Sequence, residues 1–287
     1  MKLTNDQIAA YDRDGYIILK GLFDPGETAL LQRDAEMLRT PRRGHPDANV
    51  IEKDGTSIRA AWAIEMDSAA CAAAYRLPRV LEPVKQLLGE DVYLYQSRLN
   101  YKVAGKGDVF QWHQDYTSWY MDGMPHGGHR DMLTVLIMLD DTKTVNGPLR
   151  FIPGSHVEGM IDPVYDTWTT SYPLHIVPDD KVEDLSRQSG VVECTGPAGT
   201  VVIFCGNLVH GSTENKSDHD RRNLYFAYSR GGNRPVPGGP RRKHSNNYIM
   251  NPHPHALDVV PDRTLRDLQP ARARSARLES VERKVVL

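Results

Sequence analysis

Cysteine is scarce in this 287-residue chain: Cys71, Cys194 and Cys205 are the only three, odd in number, widely spaced and without a CxxC pair. That pattern excludes a disulfide framework and a thiolate zinc site, and it fits a reducing cytoplasm. Long apolar runs are also missing. The opening MKLTNDQIAAYDRDGY has no apolar core of the kind a signal peptide needs, and no later stretch approaches the ~18 uncharged apolar residues of a membrane span. Charge of one sign is lacking too, since a net charge of -2 leaves no global field to draw nucleic acid or anionic lipid. Internal repeats and low-complexity segments are absent. The expectation is a soluble, cytoplasmic protein with a small-molecule partner, without nucleic acid or membrane partners.

The length suits two average domains or one barrel or sandwich, and a single domain over 1–287 is the reading adopted. Thr4 stands three residues before Gln7, a capping-box spacing that predicts a short helix, and GYIILKGLF then reads as a strand. Asp24 as N-cap, Pro25 at the first helical position and Glu27 at the third predict a second helix, and RVLEPVKQLLG a third. After Asp91 the period changes to two. YLYQSRLNYKV places Gln96, Arg98, Asn100 and Lys102 on one face, read as lining a polar cavity, and Tyr95, Leu99, Tyr101 and Val103 on the other. MLTVLIMLDD reads as a buried strand, and NGPLRFIPGSH, GTVVIFCGNLVHGS and RRNLYFAYSR supply turns and further strands. The organisation expected is helical support over 1–90, a β core over 91–235 and a C-terminal extension over 236–287, extended and partly solvated. The core, a sandwich or closed barrel with helices outside, is interrupted over 157–191 by an insertion read as a lid or binding loop.

In FQWHQDYTSW, His113 and Asp115 lie one residue apart and share a strand face by the period of two. A third candidate ligand, His210, ends the strand TVVIFCGNLVH. Two imidazoles and a carboxylate make the facial triad of non-haem iron(II) oxygenases, which keeps positions open for a co-substrate and dioxygen; zinc hydrolysis also uses such a set. Arg221 and Arg222 open the next strand, where a guanidinium can pair bidentately with a carboxylate beside the metal.

From Gln96 to about Tyr228 the chain resembles the phytanoyl-CoA dioxygenase superfamily of iron(II)/2-oxoglutarate oxygenases, and within it is similar to the ectoine hydroxylases. The resemblance rests on YQSRLNYK, FQWHQDYTSWYMDGMP, NGPLRFIPGSH, VHGS and RRNLYFAY, in that order. It implies a mainly β fold with flanking helices, a double-stranded β-helix (jelly-roll, cupin-like) barrel with the N-terminal helices packed outside. It implies that His113, Asp115 and His210 bind iron(II), with 2-oxoglutarate and O2 as co-substrates. Arg221, or Arg222 in the alternative register, then pairs with the distal carboxylate of 2-oxoglutarate. Ser212, Phe110, Asn100 and Thr134 fall at positions that contact that co-substrate, while Gln96 and Trp119 match substrate-holding positions with Ser118 and Tyr116 close by. The ectoine pattern has phenylalanine, glutamate and threonine where this chain has Tyr116, Thr117 and Ser118, a departure on the substrate side.

The activity implied is hydroxylation of a small polar or zwitterionic metabolite, an ectoine-like compound or amino acid, with release of succinate and CO2. A non-catalytic metal-binding cupin-like module, a metallohydrolase and an acyl-CoA hydroxylase are the alternatives, and a homodimer is implied by the ectoine enzymes. His156 in PGSH reads as a loop-ordering residue, and Trp112, Tyr116, Trp119 and Tyr120 divide between core and pocket. His126, His129, His219, His244, His253 and His255 read as surface residues.

Overall fold

The first helix forms where capping predicts it. In the computed structural model, which describes residues 1–40, 48–125, 127–236 and 255–268, the Thr4 hydroxyl accepts from the Gln7 N–H while the Gln7 side chain accepts from Thr4 N–H, so α1 (Asn5–Asp14) starts with its donors satisfied. It stops at Gly15, whose φ of 84° only glycine adopts at no cost. Strand β1 (Tyr16–Leu19) follows, then α2 (Pro25–Met37), capped by the Asp24 carboxylate accepting from Gly26 and Glu27. A hairpin of β2 (Asn49–Ile51) and β3 (Ile58–Trp62) precedes α3 (Ala69–Ala74) and α4 (Pro78–Leu88).

The β core comprises β4 (Val92–Lys102), β5 (Phe110–His113), β6 (Met132–Met138) and β7 (Leu149–Phe151), with helix α5 (Asp115–Met121) between β5 and β6. The insertion is not a bare loop. It holds a hairpin of β8 (Val164–Asp166) and β9 (Leu174–Ile176) and then helix α6 (Asp179–Ser189), whose Val182 and Leu185 are buried at helical spacing. Strands β10 (Val192–Cys194), β11 (Val201–Cys205), β12 (His210–Ser212) and β13 (Arg221–Arg230) complete the core, and α7 (Thr264–Leu268) packs on α3 through buried Leu265.

Seven strands form one antiparallel sheet in the order β1-β11-β6-β13-β4-β3-β2, and four form a second in the order β10-β7-β12-β5. The sheets pack face to face: Phe151 of β7 meets Phe204 of β11 at 5.4 Å between ring centroids, and Tyr16 of β1 stacks on Phe151 at 4.9 Å. This is a jelly-roll, cupin-like sandwich, and not the closed barrel. Among the described residues the edge strands β10 and β5 of the small sheet form no ladder with the edge strands β1 and β2 of the large one, so the two sheets stay separate. The N-terminal part supplies more than helices, since β1 forms one edge of the large sheet and β2–β3 the other. Among the described residues no helix is long and apolar enough to cross a membrane. The expectations for His126, His244 and His253, and for most of the C-terminal extension, fall outside the described residues.

Candidate active site

Two adjacent antiparallel strands bring the imidazoles together. His113 ends β5, His210 begins β12, and the two are direct partners in the ladder with ring centroids 4.1 Å apart. Asp115 joins them as the period of two from His113 predicts, although the strand itself has ended. The strand ends at His113, Gln114 keeps an extended backbone, and Asp115 is the first residue of α5. The Gln114 side chain pins this strand-to-helix junction, donating to the carbonyls of Asn207 and Gly159 and accepting from Ile161 N–H.

The three ligand atoms lie within 4.8 Å of one another, all on buried residues. Asp115 Oδ1 is 3.9 Å from Nε2 of His113 and 3.9 Å from Nε2 of His210. Each Nδ1 faces a carbonyl oxygen, Gln111 O at 2.7 Å and Leu208 O at 2.8 Å. A carbonyl only accepts, so each Nδ1 carries the hydrogen and each Nε2 presents its lone pair to the shared point. Burial lowers the pKa of both imidazoles, that of His113 to about 3, with the neighbouring His210 adding to the effect. Burial pushes the Asp115 carboxyl up, but Arg98 and the two imidazoles outweigh it and hold it down at about 2. Neutral imidazoles and an ionised carboxylate are the protonation states that a divalent metal requires. Both carboxylate oxygens are also fixed: Arg98 Nη2 donates to Oδ1 at 3.2 Å, and Thr134 Oγ1 donates to Oδ2 at 2.9 Å. Thr134 thus reaches the carboxylate rather than the wall where the resemblance puts it.

Beside the triad lies a cavity whose walls include Asn100, Phe110, Ser212 and Arg221. On β13, Arg221 pairs with Lys102 of β4, Asn223 with Asn100 and Tyr225 with Arg98, so one face of two neighbouring strands is polar and turned inward. Arg221 is buried there; Nη2 donates to Gly147 O at 2.6 Å, Nη1 to the Asn223 side-chain oxygen at 3.0 Å, and Nε has no protein acceptor. Arg222 points the other way, bound by Asp140 through Nε and Nη2 and by Glu36 through Nη1. Arg59, Arg98, Lys102 and Arg221 share this cavity with the carboxylates of Glu52 and Asp108, and Asp115 pairs with Arg98 from the triad side. Burial, with Arg221 and Arg59 nearby, lowers the Lys102 pKa well below the usual lysine range. Arg59 is paired with Glu52 and Arg98 with Asp115, so among the described residues Arg221 is the guanidinium of this wall without a carboxylate partner, which suits an anionic ligand.

A second cavity opens from the same triad and shares Arg98, Phe110 and His113 with the first. Gln96, Ser118, Trp119, Trp62, Tyr172 and Leu174 line it. Gln96 Oε1 accepts from Arg98 Nη1 at 3.2 Å. Trp119 is buried against Tyr95 and Tyr116 while forming the wall. Tyr116 stands behind that wall, fully buried in a cluster with Tyr93, Met124 and Met132, and its hydroxyl accepts from Asn233 Nδ2 at 3.3 Å. The residue is core, not pocket lining. His156 is remote from the triad, donating through Nε2 to Asp12 O at 3.1 Å and so tying its loop to α1.

Glu52, Arg59, Trp62 and Tyr172 were not visible as site residues in the sequence. Arg59 carried a signal, being the one charge in the apolar run IRAAW, because a charge inside a buried strand needs a partner.

The profile of the phytanoyl-CoA dioxygenase family matches residues 11–223. The chain belongs to that family. Among the chain's relatives, an ectoine dioxygenase of Sphingopyxis alaskensis is 36% identical over 245 residues, covering 80% of this chain and 79% of its own. An L-proline trans-4-hydroxylase of Streptomyces griseoviridis is 35% identical over 246 residues, covering 80% and 88%. The crystal structure of EctD from S. alaskensis with 2-oxoglutarate and 5-hydroxyectoine superimposes with a TM-score of 0.78 at 34% identity, covering 90% of this chain and 88% of that one.

Proposed function

We propose that this protein is an iron(II)- and 2-oxoglutarate-dependent dioxygenase that hydroxylates a C–H bond of a small polar or zwitterionic metabolite. The observation that carries the reading is the junction of a metal-ready His113/Asp115/His210 triad with a neighbouring cavity lined by buried Arg221, which has no carboxylate partner among the described residues. A metal module without activity has no need of the second feature, and a hydrolase has no need of a dianion receptor.

His113, Asp115 and His210 would hold iron(II), their summed charge leaving the ion one net positive charge. Arg221 and Ser212 would take the distal carboxylate of 2-oxoglutarate, the unengaged Nε–H of Arg221 supplying a donor inside the cavity. Bound iron supplies the activation of dioxygen, coupled to conversion of 2-oxoglutarate to succinate and CO2, through which one oxygen atom reaches the substrate. The chain's own work is aim and dryness. Gln96 and Ser118 offer hydrogen bonds to a polar substrate, while Trp62, Trp119 and Tyr172 give apolar faces suited to a delocalised cation and exclude water. A single oxygenase domain in the cytoplasm is part of the reading, in keeping with three free, buried cysteines.

The test is mass-spectrometric turnover with iron(II), ascorbate and 2-oxoglutarate against ectoine, L-proline, other free amino acids and small cyclic imino acids. The expected result is succinate formed in step with a product one oxygen heavier. Absence of succinate above background with every compound, and of uncoupled 2-oxoglutarate decay, would overturn the reading.

A further inference from the structure

The two halves of the cavity are joined by a buried ion pair that none of the roles above requires. Arg59 on β3 and Glu52 beside β2 are both buried, with Arg59 Nη1 2.9 Å from Glu52 Oε2. Both line the co-substrate half. Arg59 lies 4.4 Å from the centroid of Phe110, the aromatic wall common to both halves, and 5.7 Å from that of Tyr172, which belongs to the substrate half. Arg59 Nη2 donates to Val109 O at 3.0 Å, fixing the chain just ahead of Phe110.

From the other side the insertion grips the same pair. Glu52 Oε2 accepts from the Ser171 hydroxyl, one residue before Tyr172, and the Tyr172 ring meets Phe110 edge-on at 5.9 Å. Lys53 Nζ donates to the carbonyls of Trp168 and Thr169. The segment between β8 and β9 is therefore tied down by two consecutive residues, Glu52 and Lys53.

We propose that Glu52 and Arg59 are positioning residues that clamp this segment, and with it Tyr172, over the substrate half, and that loading of the co-substrate half tightens the clamp. The inference rests on the functional reading above. A dianion beside Arg59 competes with Glu52 for the guanidinium, and the other oxygen of Glu52 is buried without a protein donor. Glu52 then depends more on Ser171, and the segment carrying Tyr172 is held more firmly.

Hydrogen exchange of residues 164–176, in protein loaded with zinc(II) and with or without 2-oxoglutarate, reads the clamp without turnover. In the wild type 2-oxoglutarate is expected to slow exchange in this segment; Ser171→Ala and Glu52→Gln should each remove that slowing and leave β6 unchanged. In the iron enzyme Ser171→Ala should raise the substrate KM about tenfold, the weight of one hydrogen bond to a charged group. It should also lower the yield of product per succinate, with the 2-oxoglutarate KM unchanged. Should Glu52→Gln fail to fold, Ser171→Ala carries the test alone. Identical exchange and identical product yield in Ser171→Ala and wild type would overturn the clamp. Absence of succinate from the wild type would instead strike the functional reading, with the exchange comparison still deciding the clamp.

Discussion

Arg98 and Asp115 form an ion pair at the centre of the site, Nη2 lying 3.2 Å from the Oδ1 atom that also faces both imidazoles at 3.9 Å. One carboxylate oxygen thus serves a guanidinium and the metal position together. Removing the arginine leaves a buried carboxylate without its cation, so Arg98→Gln should cost the metal-free protein about 3 kcal/mol or more. A divalent ion supplies replacement charge, and the loss should shrink when zinc(II) is bound. Chemical denaturation with and without zinc measures both; equal losses in the two states would show that the oxygen is not shared.

The two consecutive arginines should separate cleanly. Arg221→Gln is expected to raise the 2-oxoglutarate KM about a hundredfold, the worth of a charge-assisted pair lost from a buried cavity. Arg222→Gln should leave that KM within about twofold and lower stability by about 1 kcal/mol, because its partners Asp140 and Glu36 are partly exposed. Steady-state kinetics and denaturation of both variants check this, and the reverse pattern would place the receptor on Arg222.

Tyr116 and Gln96 make a second contrast. Gln96→Leu should raise the substrate KM about tenfold through loss of a polar contact in the substrate half. Tyr116→Phe should leave it unchanged while costing about 1 kcal/mol for the lost acceptor of Asn233. A raised KM in Tyr116→Phe would return that residue to the pocket.

His156 gives a pH dependence independent of the metal site. Its Nε2–H donates to Asp12 O, its Nδ1 is buried without a protein partner, and burial lowers its pKa although the Asp12 carbonyl opposes this. The unfolded chain therefore takes up its proton first, near an ordinary value of about 6.5. Below that pH the unfolded state binds more protons, so the stability that neutral His156 provides is complete above about 6.5 and is lost as pH falls toward the folded pKa. The stability gap between wild type and His156→Asn should be constant above about pH 7 and narrow below about 6.5. Denaturation midpoints across pH measure it; a gap independent of pH would contradict the account.

What was legible in the sequence was whatever local chemistry dictates. The caps at Thr4 and Asp24, the polar face from Gln96 to Lys102 and the three ligand residues all declare themselves through residue type and spacing. Other features depend on pairing between distant segments. The inward orientation of Arg221 follows from its register opposite Lys102, which no periodicity within β13 reveals. Asp115 reaches the imidazoles from a helix start, because the chain turns helical after an extended Gln114 where alternation alone predicts a continuing strand. Strands β8 and β9 were hidden by their length of three residues, and Glu52 and Arg59 by the distance in sequence between them and the insertion they meet.

The most direct test of the central claim is anaerobic calorimetric titration of 2-oxoglutarate into iron(II)-loaded protein, with metal-free protein and Arg221→Gln as comparisons. The account predicts one 2-oxoglutarate per chain in the loaded wild type, much weaker binding without iron and about a hundredfold weaker binding in Arg221→Gln. Binding that needs neither the metal nor Arg221, or no binding at all, would contradict it.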